Sequence, residues 1–488
     1  MRNSSRSRPQ IRHKSVGMLL LLLLLLLLAP VLVCSAPLVC SAETSPNIVF
    51  IMADDMGYGD VGCFNAQSKI TTPHIDRLAG QGMRFTDAHA PGSVCVPTRY
   101  GLMTGRYPFR RNLKVNPKID PDRTTIASLL RRNGYATAMV GKWHLGFEAM
   151  PEGDWSQPLR GGPLDRGFDT YFGIPSSLDI PPYYYIRGRA PVAAPTDHIG
   201  PNNSEGWTRV QGQFWRAGGI APGFRHDQVL PQLEKETVSV IDAHGKQSDR
   251  KPLFLYVALT APHTPWVPTD EFRGTSSVEL YGDFVMQVDA TVGHILETLD
   301  QNEMTEDTLV IFTSDNGPVW NSQDIARFDH RSTGPLRGMK GDSWEGGHRM
   351  PFVARWPGHI PADSVCHETI CFTDMLVTFA AIVGDEPPDD LTQDSYSILP
   401  LLRGAKPTEP VRRVTVHKRN ATAIRAGRWK LVTHRGSGGL SGRNQPDPDP
   451  SGPPEQLYDL ELDIGETNNL WAAQPEVVRR LKRVLQQY

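Results

Sequence analysis

The sequence has little cysteine, no surplus of positive charge and, past residue 33, no long apolar run. Six cysteines in 488 residues do not make a disulfide framework. Two of them, Cys34 and Cys40, lie in an N-terminal leader, so export would leave Cys63, Cys95, Cys366 and Cys371. Of these, Cys366 and Cys371 are near enough in sequence to pair in an oxidising compartment if strand direction allows it. A formal net charge of −2 excludes the broad basic surface of a nucleic-acid-binding protein and leaves room for a local basic pocket. No segment after the leader is apolar enough to span a membrane, and no repeat of fixed period is present.

What is there begins with the leader. Arg2, Arg6, Arg8, Arg12 and Lys14 precede the run Leu19–Leu28, and small residues Ser41 and Ala42 follow. This order is that of a signal peptide over residues 1–42. The stretch Val16–Val33 is also close to spanning length, which makes an uncleaved anchor the alternative. A lipoprotein box at Cys34 or Cys40 is poor, because Val33 and Val39 stand where a small residue is needed. The chain is therefore expected to be exported, to a periplasm, a lumen or the medium. Asn202 (NNS) and Asn420 (NAT) fit the glycosylation pattern.

The rest is ordinary globular composition, 39% hydrophobic and 21% charged, and long enough for one large domain and a smaller one. Four short apolar runs organise it: "NIVFIMADD", "YATAMVGKWH", "PLFLYVALTAPH" and "DTLVIFTSDN". Continuous runs of this length suit strands buried on both faces. Helix-like segments lie between them, such as "TPHIDRLAGQG", "TTIASLLRRNG" and "YGDFVMQVDATVGHILETLDQN". The alternation predicts an α/β fold with a large, mostly parallel central sheet flanked by helices. Beyond Pro400 the pattern changes to antiparallel hairpins and a final amphipathic helix, "PEVVRRLKRVLQQY". That assigns residues 46–398 to a main α/β domain and 399–488 to a smaller sheet-plus-helix subdomain. The stretch Pro175–Gln232, rich in Pro, Gly, Tyr and Trp, reads as long loops, and its aromatics suit either sugar stacking or plain packing.

Each of the four runs ends in chemistry: Asp54 and Asp55; Lys142 and His144; His263; Asp315 and Asn316. A parallel sheet gathers strand C-termini on one edge, where ligands bind. Three carboxylates and an amide suit a hard cation such as calcium or magnesium, and not zinc. Lys142, Arg99 and Lys340 offer fixed positive charge to an anionic ester, and His144 and His263 can move protons. Between the first two runs lies "SVCVPTRYGLMTGRYP". Pro97 is tolerated in a first helical turn, which puts Cys95 at a helix start with Arg99 one turn on. Two readings stay open there: a thiol of lowered pKa in an anion pocket, or a buried structural cysteine. A soft thiol beside an all-oxygen metal set makes poor sense unless its sulfur is replaced.

"CVPTRYGLMTGR", Cys95–Arg106, resembles the signature of type I sulfatases, Cys-x-Pro-x-Arg with Thr-Gly-Arg downstream. "NIVFIMADDMGYGDVG", "GKWHLG", "APHTPW", "TSDNGP", "LRGMKGDSWEGGHRMPFVARWPG" and "LYDLELDIGETNNL" are similar to further blocks of that family, in its order. The resemblance implies an alkaline-phosphatase-like fold and hydrolysis of sulfate esters, of a sulfated carbohydrate or an aryl sulfate. It also implies that a formylglycine-generating enzyme oxidises Cys95 to Cα-formylglycine. Calcium would be held by Asp54, Asp55, Asp315, Asn316 and residue 95. Arg99 and Lys142 would fix the formylglycine hydrate, Lys142 and Lys340 would grip the sulfate, His144 would hydrogen-bond the hydrate, and His263 would face the leaving oxygen. One hydroxyl of the hydrate would attack sulfur and the second would let sulfate depart. A phosphate or phosphonate monoester hydrolase on the same fold is the alternative, and a non-catalytic binding protein would need site residues missing that are all present. His226, His330 and His348 are left as structural or rim residues.

Overall fold

The computed structural model describes Met1 and residues 45–148, 154–248, 250–386, 392–443 and 451–488. The remainder of the leader, with Cys34 and Cys40, lies outside the described residues, as does part of the Gly/Pro-rich loop after residue 443. No helix among the described residues is long and apolar enough to cross a membrane.

In chain order the strands are β1 (Asn47–Asp54), β2 (Met83–His89), β3 (Ala136–Lys142), β4 (Thr170–Ile174), β5 (Ile186–Arg187), β6 (Ala190–Pro191), β7 (Asp197–Ile199), β8 (Gly218–Ile220), β9 (Leu253–Pro262), β10 (Thr308–Ser314), β11 (Arg349–Arg355), β12 (Ser364–Cys366), β13 (Ile370–Cys371), β14 (Val414–Lys418), β15 (Thr422–Ala426), β16 (Trp429–Val432) and β17 (Gln456–Asp459). One 11-stranded sheet runs β12-β2-β11-β10-β1-β9-β3-β4-β5-β6, with β13 also on β2. Its centre, β10-β1-β9-β3-β4, is parallel throughout. Every residue of β1, β9 and β10 is buried, as two-sided coverage by helices requires of such unbroken apolar runs. The helices include Pro73–Gly80, Ile126–Arg132, Val229–Gly245, Glu279–Gln301 and Met375–Ile382.

β11 is antiparallel to both β10 and β2, so β2 points the same way as the parallel core. The C-terminal ends Asp54, His89, Lys142, Pro262 and Ser314 thus share one edge. The smaller sheet, β14-β15-β16-β17, is antiparallel, and Gly427 (φ +57) makes the β15–β16 turn. Val478 and Leu481 of the last helix, Pro475–Leu485, pack on Val416, Ile424, Leu431 and Leu457, with Tyr107 and Cys371 in the same cluster.

Two expectations are corrected. Cys366 and Cys371 are free. Their strands pair with β2 at Phe85 and at His89, four residues apart and so about 13 Å along a strand, too far for a disulfide. The stretch Pro175–Gln232 is not all loop. It contains the β5–β6 hairpin, the β7–β8 ribbon and, from Val229, the start of a 17-residue helix.

One carboxylate ties two helices together and carries a pH dependence. Asp289, on Glu279–Gln301, accepts from the backbone nitrogens of His74 (3.1 Å) and Ile75 (2.8 Å), capping the first turn of Pro73–Gly80. Burial raises its pKa from the ordinary 3.8 to about 7, against those two hydrogen bonds. A folded value above the unfolded one means that this contribution to stability is full below pH about 4 and is lost as pH rises toward 7. Relative to Asp289→Asn, the wild type is expected to lose up to about 1.4 kcal/mol per pH unit across that window. Urea unfolding at several pH values checks this, and parallel profiles for the two proteins would refute it.

Candidate active site

β1 delivers two carboxylates to one place by breaking its own alternation. Successive strand side chains face opposite ways, but Asp55 adopts a left-handed backbone (φ 64) just past the strand, which brings its carboxylate round beside that of Asp54. His144 does the same after β3 (φ 56). Residues held in such conformations cluster where function over-determines them. The turn beyond Asp55 is held by Asp60. Its Oδ2 accepts from Gly57 N at 2.7 Å and its Oδ1 faces His330 Nε2 at 2.8 Å, with Tyr281 and Ser332 hydroxyls on Oδ2.

The helix Cys95–Thr104 starts at the cysteine, with Pro97 in its first turn. Cys95 Sγ lies 3.5 Å from Asp54 Oδ1 and 3.6 Å from Lys340 Nζ. One turn on, Arg99 donates to Asp315 Oδ2 through Nε (3.1 Å) and Nη2 (2.8 Å) and to the Lys142 carbonyl through Nη1 (3.1 Å). Lys142 Nζ is 2.5 Å from Asp54 Oδ2, and Lys340 Nζ is 2.6 and 2.7 Å from the two Asp55 oxygens. Asn316 Nδ2 donates to Asp55 Oδ1 at 2.6 Å. His263 Nε2 lies 3.6 Å from Asp55 Oδ2. The ligand atoms of Asp54, Asp55, Cys95 and His263 all fall within 4.8 Å of one another. All ten residues singled out in the sequence converge on the predicted edge.

Electrostatics sort them. Burial pushes the Asp54 carboxyl up, but Lys142, His263, Arg99 and Lys340 together hold it well below the usual range. Burial and the Asp54 carboxylate push Asp315 up. Burial, then Lys142 and Arg99, hold His144 well below its ordinary value, so its imidazole is neutral. The thiol reading is corrected here. Burial and Asp315 raise the Cys95 pKa, against Lys142 and Lys340. Burial outweighs the two lysines, so the thiol is held above its ordinary pKa rather than below it.

Sequence reasoning missed the supports. Ser314 Oγ accepts from Met56 N (2.9 Å), and the Thr264 carbonyl accepts a hydrogen bond from His263 Nδ1 at 2.6 Å. Gly341 N donates to the Ser93 carbonyl at 2.7 Å, tying the Lys340 loop to the cysteine loop. The Gly57–Asp60 spacing, a carboxylate three residues after a turn, was the one legible signal. The stretch Pro175–Gln232 is pinned to the His263 segment, because Gly212 O accepts from Thr264 Oγ1 and Trp266 N at 2.8 Å each. His330, His348 and His226 are buried: His330 is on Asp60, His348 is 3.1 Å from His89, and His226 stacks on Trp215.

The family pattern described as Sulfatase matches residues 46–384. The chain is 33% identical to an N-acetylgalactosamine-6-O-sulfatase of Bacteroides thetaiotaomicron over 481 residues, covering 90% of this chain and 92% of that protein. It is 35% identical to human arylsulfatase A over 467 residues, covering 90% and 87%. A solved structure from work on glycosaminoglycan metabolism in Bacteroides thetaiotaomicron superposes with TM-score 0.78 at 31% identity, covering 91% of this chain and 99% of that one. With the signature helix, the parallel sheet and the strand-end cluster in place, these likenesses decide the family: the chain belongs to the type I sulfatases, sulfuric ester hydrolases on an alkaline-phosphatase-like fold.

Proposed function

We propose that this hydrolase cleaves the sulfate ester of a saccharide, with residue 95 as formylglycine and with calcium held by Asp54, Asp55, Asp315 and Asn316. The observation that carries this reading is the placement of a buried cysteine sulfur 3.5 Å from a carboxylate in an otherwise oxygen-rich cluster. The donor set fits a hard cation. It offers three carboxylates, and Asn316 Oδ1 is buried with no hydrogen-bond partner among the described residues. Three carboxylates facing Arg99, Lys142 and Lys340 sum to no charge, so a divalent ion would leave the site net positive, as a sulfate demands. Bound calcium would supply charge that stabilises oxyanions. Oxidation of residue 95 would supply the oxygen nucleophile.

The chain's own side chains do the rest. Lys142 and Lys340 draw the sulfate oxygens and spread their developing charge. Arg99 fixes the Asp315 carboxylate from below. A carbonyl only accepts, so His263 Nδ1 carries a proton toward Thr264 and Nε2 is the atom left to serve the leaving oxygen. His144 Nδ1 is buried with no hydrogen-bond partner among the described residues, which leaves it open to a hydrogen bond from the hydrate. The saccharide reading is supported by the N-acetylgalactosamine-6-sulfatase names among the relatives. Export through residues 1–42 and maturation by a formylglycine-generating enzyme complete the proposal, with residues 46–398 carrying the reaction and 399–488 walling the cleft.

Two measurements test it. Mass spectrometry of the peptide spanning Cys95 reports the aldehyde. Stripping divalent cations is expected to abolish turnover of nitrophenyl sulfate, with recovery on adding calcium, while nitrophenyl phosphate stays poor. Full activity in a metal-free preparation would overturn the ligand assignment.

A further inference from the structure

A cavity of about 760 Å³ opens beside the reaction centre, and it is lined by a lysine that has no ion-pair partner among the described residues. His144 and Val96, the residue after position 95, form its inner wall. Phe147, Ile180 and Tyr184 make it largely apolar, and Ile180 stays 36% exposed. Such a surface suits the C–H face of a sugar ring. Lys118 lies on the same wall.

Lys118 is unlike the buried lysines of this protein. Lys142, Lys340 and Lys430 each sit on a carboxylate within 2.9 Å. The Lys118 ammonium donates to uncharged oxygens, Asn116 Oδ1 at 2.6 Å and the Val115 carbonyl at 3.2 Å. Burial alone pushes its pKa down, and Glu148, the cavity's carboxylate, makes no ion pair with it. The position is also fixed. Lys118 N donates to the Leu145 carbonyl at 2.8 Å. Asn116 packs so closely on Gly146 that a Cβ there would lie 2.4 Å from its Oδ1. The ammonium is thus held against the turn that carries His144, facing space contiguous with the sulfate site. A half-desolvated cation on the wall of a ligand cavity gains most from an anion.

We propose that Lys118 is a specificity-determining residue that takes an anionic group, a carboxylate or a second sulfate, on the sugar joined to the sulfated ring. This rests on the saccharide sulfatase reading above. The probes are three sulfated disaccharides that differ only on the neighbouring sugar: a carboxylate, the primary alcohol from its reduction, or a sulfate on that alcohol. Wild-type kcat/KM is expected to favour an anionic probe over the alcohol by about tenfold, mainly through KM, and whichever anion gains more identifies the source. Lys118→Met brings that ratio close to one, and Lys118→Arg keeps most of it, with melting curves showing both variants folded. Equal kcat/KM for all three probes in the wild type, or a ratio that Lys118→Met does not move, overturns the inference. Turnover of nitrophenyl sulfate but of no disaccharide overturns it too. Failure on nitrophenyl sulfate as well overturns the reading of function itself.

Discussion

Cys95→Ser is expected to fold normally and to lose at least about a thousandfold in steady-state turnover of nitrophenyl sulfate, the scale of losing a nucleophile that acts as part of a unit. The substitution is nearly isosteric at a buried position, and a hydroxyl there finds Asp54 and Lys340 as partners. Melting is therefore expected within a few degrees of wild type. A serine offers one hydroxyl. Having accepted a sulfuryl group it has no second hydroxyl to expel sulfate, so any reaction ends after one event per site. A burst of one equivalent followed by arrest is the sharpest form of the result. Ordinary steady-state rates in the serine variant would rule out a nucleophile with two hydroxyls.

The second large effect belongs to Lys142. Its ammonium is fully buried, 2.5 Å from Asp54 Oδ2. Lys142→Met leaves a buried carboxylate without its nearest cation, and breaking such a pair costs about 3–5 kcal/mol. The same change removes one of the proposed holders of the sulfate, with an expected loss of at least about a hundredfold in kcat. The stability loss has a pH signature. Asp54 is held below its ordinary range, so its contribution is present above that range and disappears as pH falls through the folded value. Wild type and variant therefore converge in stability toward strong acid. Urea unfolding across pH, with kinetics on nitrophenyl sulfate, reads both effects. A variant within about 0.5 kcal/mol and threefold of wild type would show that the pair holds neither fold nor site.

Much of the site was readable before the structure because each of its parts is local. An apolar run followed at once by Asp54–Asp55, Lys142, His263 or Asp315–Asn316 announces both a buried strand and the chemistry at its end. Cys95, Pro97 and Arg99 announce a helix start by spacing alone. What could not be read depends on contacts between distant segments. The Cys95 pKa follows from Asp315 and from burial, neither of which the local sequence shows. The separation of Cys366 from Cys371 follows from their registers on β2. The helix from Val229 was hidden because the Pro- and aromatic-rich stretch before it masked its start.

By itself the sequence determined the alternating α/β order, the reactive residue types and their positions at strand ends, since the apolar period and the turn residues act over a few neighbours. Only the tertiary structure decided which carboxylate pairs with which lysine, that burial raises the thiol's pKa, and that Lys118 lines a cavity without an ion pair to its carboxylate, Glu148. Those outcomes depend on distance and on exclusion of water, and both are set when segments hundreds of residues apart close on one edge of the sheet.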